Sequence, residues 1–280
     1  MKIGKRSAAV IAAAGTTAAM LTGAATAADA ATAGHVHHVT ARMTKSSIRL
    51  SVGHTVHAGT IQFKAVSADG KGHVLQLFRL HKGYSLQQAG SDINKAFKGD
   101  IAAINRVDHK ISFRGGSPAK AGKPGIVTMD LNKGRYYVLD QNGGGLSWLI
   151  VRGTANRAPV AHKGWITATS YNFVTSKVLP NSGTMTVGNI SDQPHFVAIQ
   201  RVKNGTTHRQ VARAFKHHLA RNPSWLLHAG TDSGVISPYH HELMSYNLPA
   251  GEYLVACWWP DDETGMPHAF MGMWRLVHLG

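Results

Sequence analysis

The chain has 280 residues, with 30 Lys and Arg against 14 Asp and Glu, 18 His and a single Cys. That is long enough for two domains with cores of their own, and 43% hydrophobic with 16% charged residues excludes a disordered polyelectrolyte and a coiled coil. One Cys excludes an internal disulfide and a multi-thiolate zinc site, while the formal charge of +16 predicts solubility and attraction to polyanions rather than a fold.

The N-terminus reads Met1-Lys2-Ile3-Gly4-Lys5-Arg6, then an Ala-rich apolar run to Met20-Leu21, then small residues. This is the layout of a secretory signal peptide over residues 1–30, with small-x-small sites at Ala25-Thr26-Ala27, Ala28-Asp29-Ala30 and Ala31-Thr32-Ala33. Gly15, Thr16, Thr17 and Thr22 dilute the run, and no later stretch reaches the roughly 18 apolar residues a spanning helix needs. The expectation is a secreted or extracytoplasmic protein with no membrane-spanning segment after the signal peptide. Residues 31–43 read as a flexible tail carrying His35-Val36-His37-His38. That tail is read either as solvated histidines or as a loose site for divalent copper or nickel.

Beyond the tail the chain repeats itself. Gly59-Thr60-Ile61-Gln62-Phe63, then His73 to Leu80 and Lys82-Gly83, matches Gly183-Thr184-Met185-Thr186-Val187, then His195 to Val202 and Asn204-Gly205. Lys133-Gly134-Arg135-Tyr136-Tyr137-Val138 matches Ala250-Gly251-Glu252-Tyr253-Leu254-Val255, and Trp148 falls near the counterpart of Trp274. Two domains are therefore expected, at 44–152 and 161–280, with a turn-rich linker at 153–160. Segments at 184–187, 196–200, 242–246 and 253–257 alternate with period two and read as strands, so each copy is expected to be a β-sandwich. One helix interrupts each copy. The first starts at Ser85, with Leu86, Ile93 and Phe97 as core contacts; in the second, Thr206 or Thr207 caps a run with Val211, Phe215 and Leu219 inward, and Asn222-Pro223 stops it.

Three segments of the second copy carry the chemistry: Asn189 to His195 with Pro194-His195 at its end, Gly251-Glu252-Tyr253 running to Cys257, and Pro267-His268 running to Gly272-Met273. Together they resemble the cupredoxin, or blue-copper, family, in which an Asn precedes a Pro-His, a Gly-x-Tyr strand ends in Cys, and a His then a Met follow on the closing loop. The resemblance implies an all-β fold of two tandem cupredoxin-like Greek-key sandwiches, the first degenerate. It also implies one copper ion held by His195, Cys257 and His268, with Met273 axial and Met271 in reserve. Two imidazoles and a thiolate make a trigonal site suited to copper in either oxidation state, tuned by a weak thioether. The alternative for the same residues is packing and hydrogen bonding without metal.

This sequence departs from the pattern in one place: ten residues, Trp258 to Pro267, separate Cys257 from His268, where small blue-copper proteins use a few. A loop of that length closes at little extra entropic cost. Its Asp261-Asp262-Glu263 reads as a solvated tip or an acidic docking patch, and Trp258-Trp259 as core, interface or shield. In the first copy Asp140 stands where Cys257 would, and His73 reads as a histidine bonded to backbone. Multicopper oxidases resemble one another in having His on both sides of the ligand Cys and paired His-x-His elements; Cys257 is flanked by Ala256 and Trp258. No hydrolase or nucleotide motif is present, so the sequence reads as non-enzymatic, for electron transfer or copper handling. Its partner would be a redox protein or, through Arg209, Arg213, Lys216, His217 and Arg221, an anionic cell-envelope polymer; no nucleic-acid module is seen.

Overall fold

A computed structural model describes residues 34–218 and 223–280. The expected signal peptide lies outside these residues, as do Leu219 and Asn222, the expected last contact and stop of the second helix. In chain order the elements are β1 (His37–Thr44), β2 (Ser47–Leu50), β3 (Thr55–Ser67), β4 (His73–Leu80), α1 (Leu86–Ala96), α2 (Ile101–Lys110), β5 (Ile111–Ala119), β6 (Gly125–Leu131), β7 (Gly134–Asp140) and β8 (Leu146–Asn156). There follow β9 (Trp165–Ala168), β10 (Phe173–Thr175), β11 (Ser182–Asn189), β12 (Ala198–Val202), α3 (His208–Lys216), β13 (Leu226–Asp232), β14 (His241–Asn247), β15 (Gly251–Ala256) and β16 (Trp274–Leu279). None of the described helices is long and apolar enough to cross a membrane.

The strands alternate as period two requires. In β14 Glu242, Met244 and Tyr246 are buried while His241 and Asn247 are exposed. One large sheet runs β10-β9-β11-β14-β6-β3-β8-β7-β4-β5, with β1 on β3 and β2 on β1; a second sheet runs β13-β12-β15-β16. Between them Met185, Val187 and Met244 of the first pack with Ile199, Tyr253, Val255 and Val277 of the second in one apolar core. A further core lies in the first half, where Ile61, Phe63 and Val127 meet Leu75, Leu77, Tyr136 and Val138. The halves are joined by antiparallel pairing of β14 with β6, Met244 opposite Val127, and Phe113 of the first half stands edge-on to Trp259 of the second at 5.4 Å.

Three differences from the sequence reading have physical causes. The first half holds two helices rather than one: Asp100 accepts from the Ala103 N–H, and Ala103, Ile104 and Val107 turn inward, so α2 is a second capped amphipathic helix. His37 to Thr44 is a strand rather than a flexible tail, because Val39, Ala41 and Met43 alternate into the core while the backbone pairs with β3. Gly153 to Asn156 extend β8, so the expected linker begins inside a strand. Both expected helix starts hold: Ser85 and Thr207 each close a capping box, with Gln88 and Gln210. Phe97, expected inside, is 59% exposed, touching the edge of Trp259.

Candidate metal centre

The site is assembled at strand ends. Pro194 and His195 lead into β12, where the His195 N–H donates to the Ile236 carbonyl at 3.0 Å and the Ile236 N–H returns a bond at 2.8 Å. Asn189 fixes that approach. Its amide donates to the carbonyls of Gln193 (2.7 Å) and Ile236 (2.9 Å), and its Oδ1 accepts from the Ser191 N–H and hydroxyl. Cys257 directly follows β15; its N–H donates to the Met273 carbonyl and its carbonyl accepts from the Ala269 N–H at 2.7 Å. His268 opens a single 3-10 turn that ends at Gly272 in a left-handed conformation (φ 103°), which reverses the chain into β16.

The long loop between Cys257 and His268 folds on itself. The Asp261 N–H donates to the Met266 carbonyl, the Gly265 N–H to the Asp261 carbonyl, and Pro260 bridges Pro267. The His268 N–H then reaches the Trp259 carbonyl at 2.9 Å, so the ten residues loop out and His268 comes back beside Cys257.

His195, Cys257 and His268 converge and are buried, at 1%, 0% and 0% exposure. The Cys257 Sγ lies 3.4 Å from His195 Nδ1 and 3.7 Å from His268 Nδ1, with ring centroids 4.7 Å apart. One ligand atom from each lies within 4.8 Å of the others, and this is the single such group of three among the described residues. A metal with nitrogen at about 2.0 Å and sulfur at about 2.3 Å, at angles from tetrahedral to trigonal, holds those donors about 3.5–3.7 Å apart. The two observed separations bracket that range. Met273 is buried with its backbone against both Cys257 and His268; Met271 is half-buried with its sulfur 3.6 Å from the Thr264 hydroxyl.

Electrostatics keep these groups neutral without metal. Burial pushes the Cys257 thiol up to about 12, opposed by the Phe196 and Trp259 N–H groups, which favour the thiolate. Burial takes His195 down to about 2, helped by nearby His268, and takes His268 down to about 4 against the pull of Asp261 and Asp192. With Nδ1 accepting from the thiol side, the Nε2–H of His195 is buried without a partner. An unmet N–H costs about 1–3 kcal/mol, a cost that fits a ring whose other nitrogen is reserved for a ligand.

His268 is differently held. Its Nε2 donates to Gln193 Oε1 at 2.9 Å, which leaves Nδ1 facing the sulfur. The Gln193 amide donates to Asp261 Oδ2 at 3.2 Å, where the Tyr171 hydroxyl also donates at 2.8 Å. Asp261 is no solvated tip: it is fully buried. Burial alone would raise its carboxyl, but bonds from Thr264, Tyr171 and Gln193 outweigh that and take it down to about 2. Gln193, Asp261 and Tyr171 were not legible as site residues. Gln193 lies inside the Asn189 to His195 motif, and nothing local marks Tyr171, which stands edge-on to His268 at 5.7 Å. Trp259 is core, donating to Asp108 at 3.1 Å, and Trp258 packs on Phe215 and Phe270.

The first half repeats the register with other chemistry. Gln76 pairs Leu139 as Ala198 pairs Ala256, so His73 and Asp140 stand where His195 and Cys257 do. His73 bonds two carboxylates rather than backbone, Asp140 at 2.6 Å and Asp69 at 2.7 Å. Its burial is more than offset by those bonds, which raise its pKa.

No family model matches the sequence, and no curated protein sequence matches it. Similar solved structures include auracyanin from Roseiflexus castenholzii, at 18% identity over 41% of this chain and 94% of that one, TM-score 0.25. They also include copper nitrite reductases from Thermus scotoductus (8% identity, 88% of this chain and 61% of that one, TM-score 0.25) and Nitrosomonas europaea (10%, 88% and 94%, TM-score 0.24). A multicopper oxidase is similar at 10% identity over 88% of both chains, TM-score 0.24. The expectation of a non-enzymatic chain is withdrawn, since the similar structures include enzymes, the nitrite reductases and the multicopper oxidase. Such TM-scores assign no residue and no reaction. Packed β-sheets with a buried His–Cys–His cluster at the strand ends give this chain a cupredoxin-like fold.

Proposed function

We propose that the second half binds one copper ion through His195 Nδ1, Cys257 Sγ and His268 Nδ1, with Met273 as the axial thioether, in an exported protein that exchanges electrons with a redox partner. The observation that carries this reading is the convergence of two Nδ1 atoms on one buried thiol at 3.4 and 3.7 Å. Copper bound there supplies one-electron exchange. The protein's own residues do the rest: Asn189 and Ile236 set His195, Gln193 sets the His268 tautomer, and burial of all three ligands excludes water. The halves at 44–152 and 161–280 are read as two copies of one sandwich, the first with its ligand Cys replaced by Asp140.

The test is to add one equivalent of divalent copper to the purified protein under non-reducing conditions and record the visible spectrum beside Cys257→Ser. An intense thiolate-to-copper band that vanishes in the variant is expected; its absence in the parent, with copper recovered on desalting, would overturn the reading. A second reading, contact with an anionic cell-envelope polymer, is favoured by the exposed Arg209, Arg213 and Lys216 of α3. Steep weakening of polyanion binding with salt would support it.

A further inference from the structure

The histidines at the start of the described chain take no part in the Cys257 site. Turning the expected tail into β1 gives them fixed places. His37 opens β1 opposite Ile61 of β3, and His35 lies two residues earlier, so the two rings fall on one side of extended backbone. Their ring centroids are 5.4 Å apart at an interplanar angle of 80°. β3 brings a third ring from a separate strand: His57, whose backbone pairs Arg152 of β8, stacks on His37 at 6.0 Å and 26°.

These rings differ from three other exposed histidines. Nδ1 of His54, His162 and His278 is held by the Trp148 carbonyl, the Val160 carbonyl and Glu252. Among the described residues, His35, His37 and His57 have no such partner. His35 and His57 are exposed and His37 is half-buried, so their nitrogens are reachable from solvent. Two imidazoles on one tetrahedral metal, nitrogen at about 2.0–2.1 Å, have ring centres about 5.2 Å apart. The first pair is close to that separation; the His37 and His57 rings, nearly parallel at 6.0 Å, are wider apart, so the site requires the exposed His57 ring to turn toward the other two.

We propose that His35, His37 and His57 form a second metal site, separate from Cys257, for a divalent ion that prefers imidazole, of the zinc and divalent-copper class. A His-x-His from one segment with a third His from the adjoining strand supplies three neutral nitrogens and leaves a coordination position for water. The proposal does not depend on the copper reading, since it uses no thiolate and no residue of the second half.

The test uses the Cys257→Ser protein, titrated calorimetrically with zinc chloride at neutral pH. One saturable equivalent is expected, weakened about tenfold or more by each of His35→Ala, His37→Ala and His57→Ala, and unchanged by His278→Ala, which removes an exposed histidine held by Glu252. The metal-free unfolding temperature of each variant should match the parent, because the replaced rings pack on little. Absence of a saturable event, indifference to His57→Ala, or equal weakening by His278→Ala would overturn the site.

Discussion

Replacing Gln193 with leucine separates ligand positioning from packing at the Cys257 site. The residue is buried, accepts from His268 Nε2 at 2.9 Å and donates to Asp261 at 3.2 Å. Leucine has similar bulk but neither group. The imidazole N–H is then buried without an acceptor, at a cost of about 1–3 kcal/mol, and a charge-assisted bond is lost at about 1.5–3 kcal/mol. Asp261 keeps its bonds from Thr264 and Tyr171, so the second cost falls at its low end and the sum is about 2.5–4.5 kcal/mol in the metal-free protein. Copper affinity should fall about 10- to 100-fold, the usual effect of freeing a ligand ring from its outer partner. Urea unfolding of the metal-free protein measures the first quantity, and copper titration against a competing chelator the second. A variant that loses stability but changes copper affinity less than about threefold would refute the claim that Gln193 fixes the His268 tautomer.

Glu242 is fully buried, accepting the Gly116 N–H at 2.6 Å with its other oxygen unpartnered, and burial raises its pKa well above the usual 4.5. The folded chain therefore keeps a proton that the unfolded chain releases, so its contribution is complete below the unfolded value and is lost as pH rises toward the folded one. The slope is about 1.4 kcal/mol per pH unit; Glu242→Gln should remove it, and parallel urea-stability profiles of parent and variant above about pH 5 would contradict this. Asn189→Ala strands four buried bonds around the His195 approach. It should cost about 3–4 kcal/mol by chemical denaturation; a loss near zero would show that the loop is held elsewhere. Thr207→Ala opens the capping box of α3 and should cost about 1 kcal/mol, read as a lower unfolding midpoint, with no change predicted in copper affinity.

Features set by near neighbours in the chain were legible. Ser85 and Thr207 cap helices because each has a Gln three residues on, and the strands at 184–187 and 253–257 show their alternation directly. The set of donor residues His195, Cys257 and His268 is read through the family resemblance rather than from any local pattern. α2 carried a readable signal in Asp100 followed by Ile101, Ile104 and Val107, and β1 did too, in Val39, Ala41 and Met43; the surrounding Lys, Gly and His residues masked both. Asp261 gave no such signal, since its burial rests on Tyr171, ninety residues away, and on Gln193.

By itself the sequence determined which segments alternate, where helices begin and which donor atoms were available, because these follow from periodicity, capping and residue chemistry within a few positions. Only the tertiary structure decided that the three donors meet, that the long loop returns His268, that Asp140 and Asp69 clasp His73, and that His57 of a separate strand stacks on His37. Those outcomes join residues distant in sequence, and they are fixed by strand register and shared cores that no local pattern specifies.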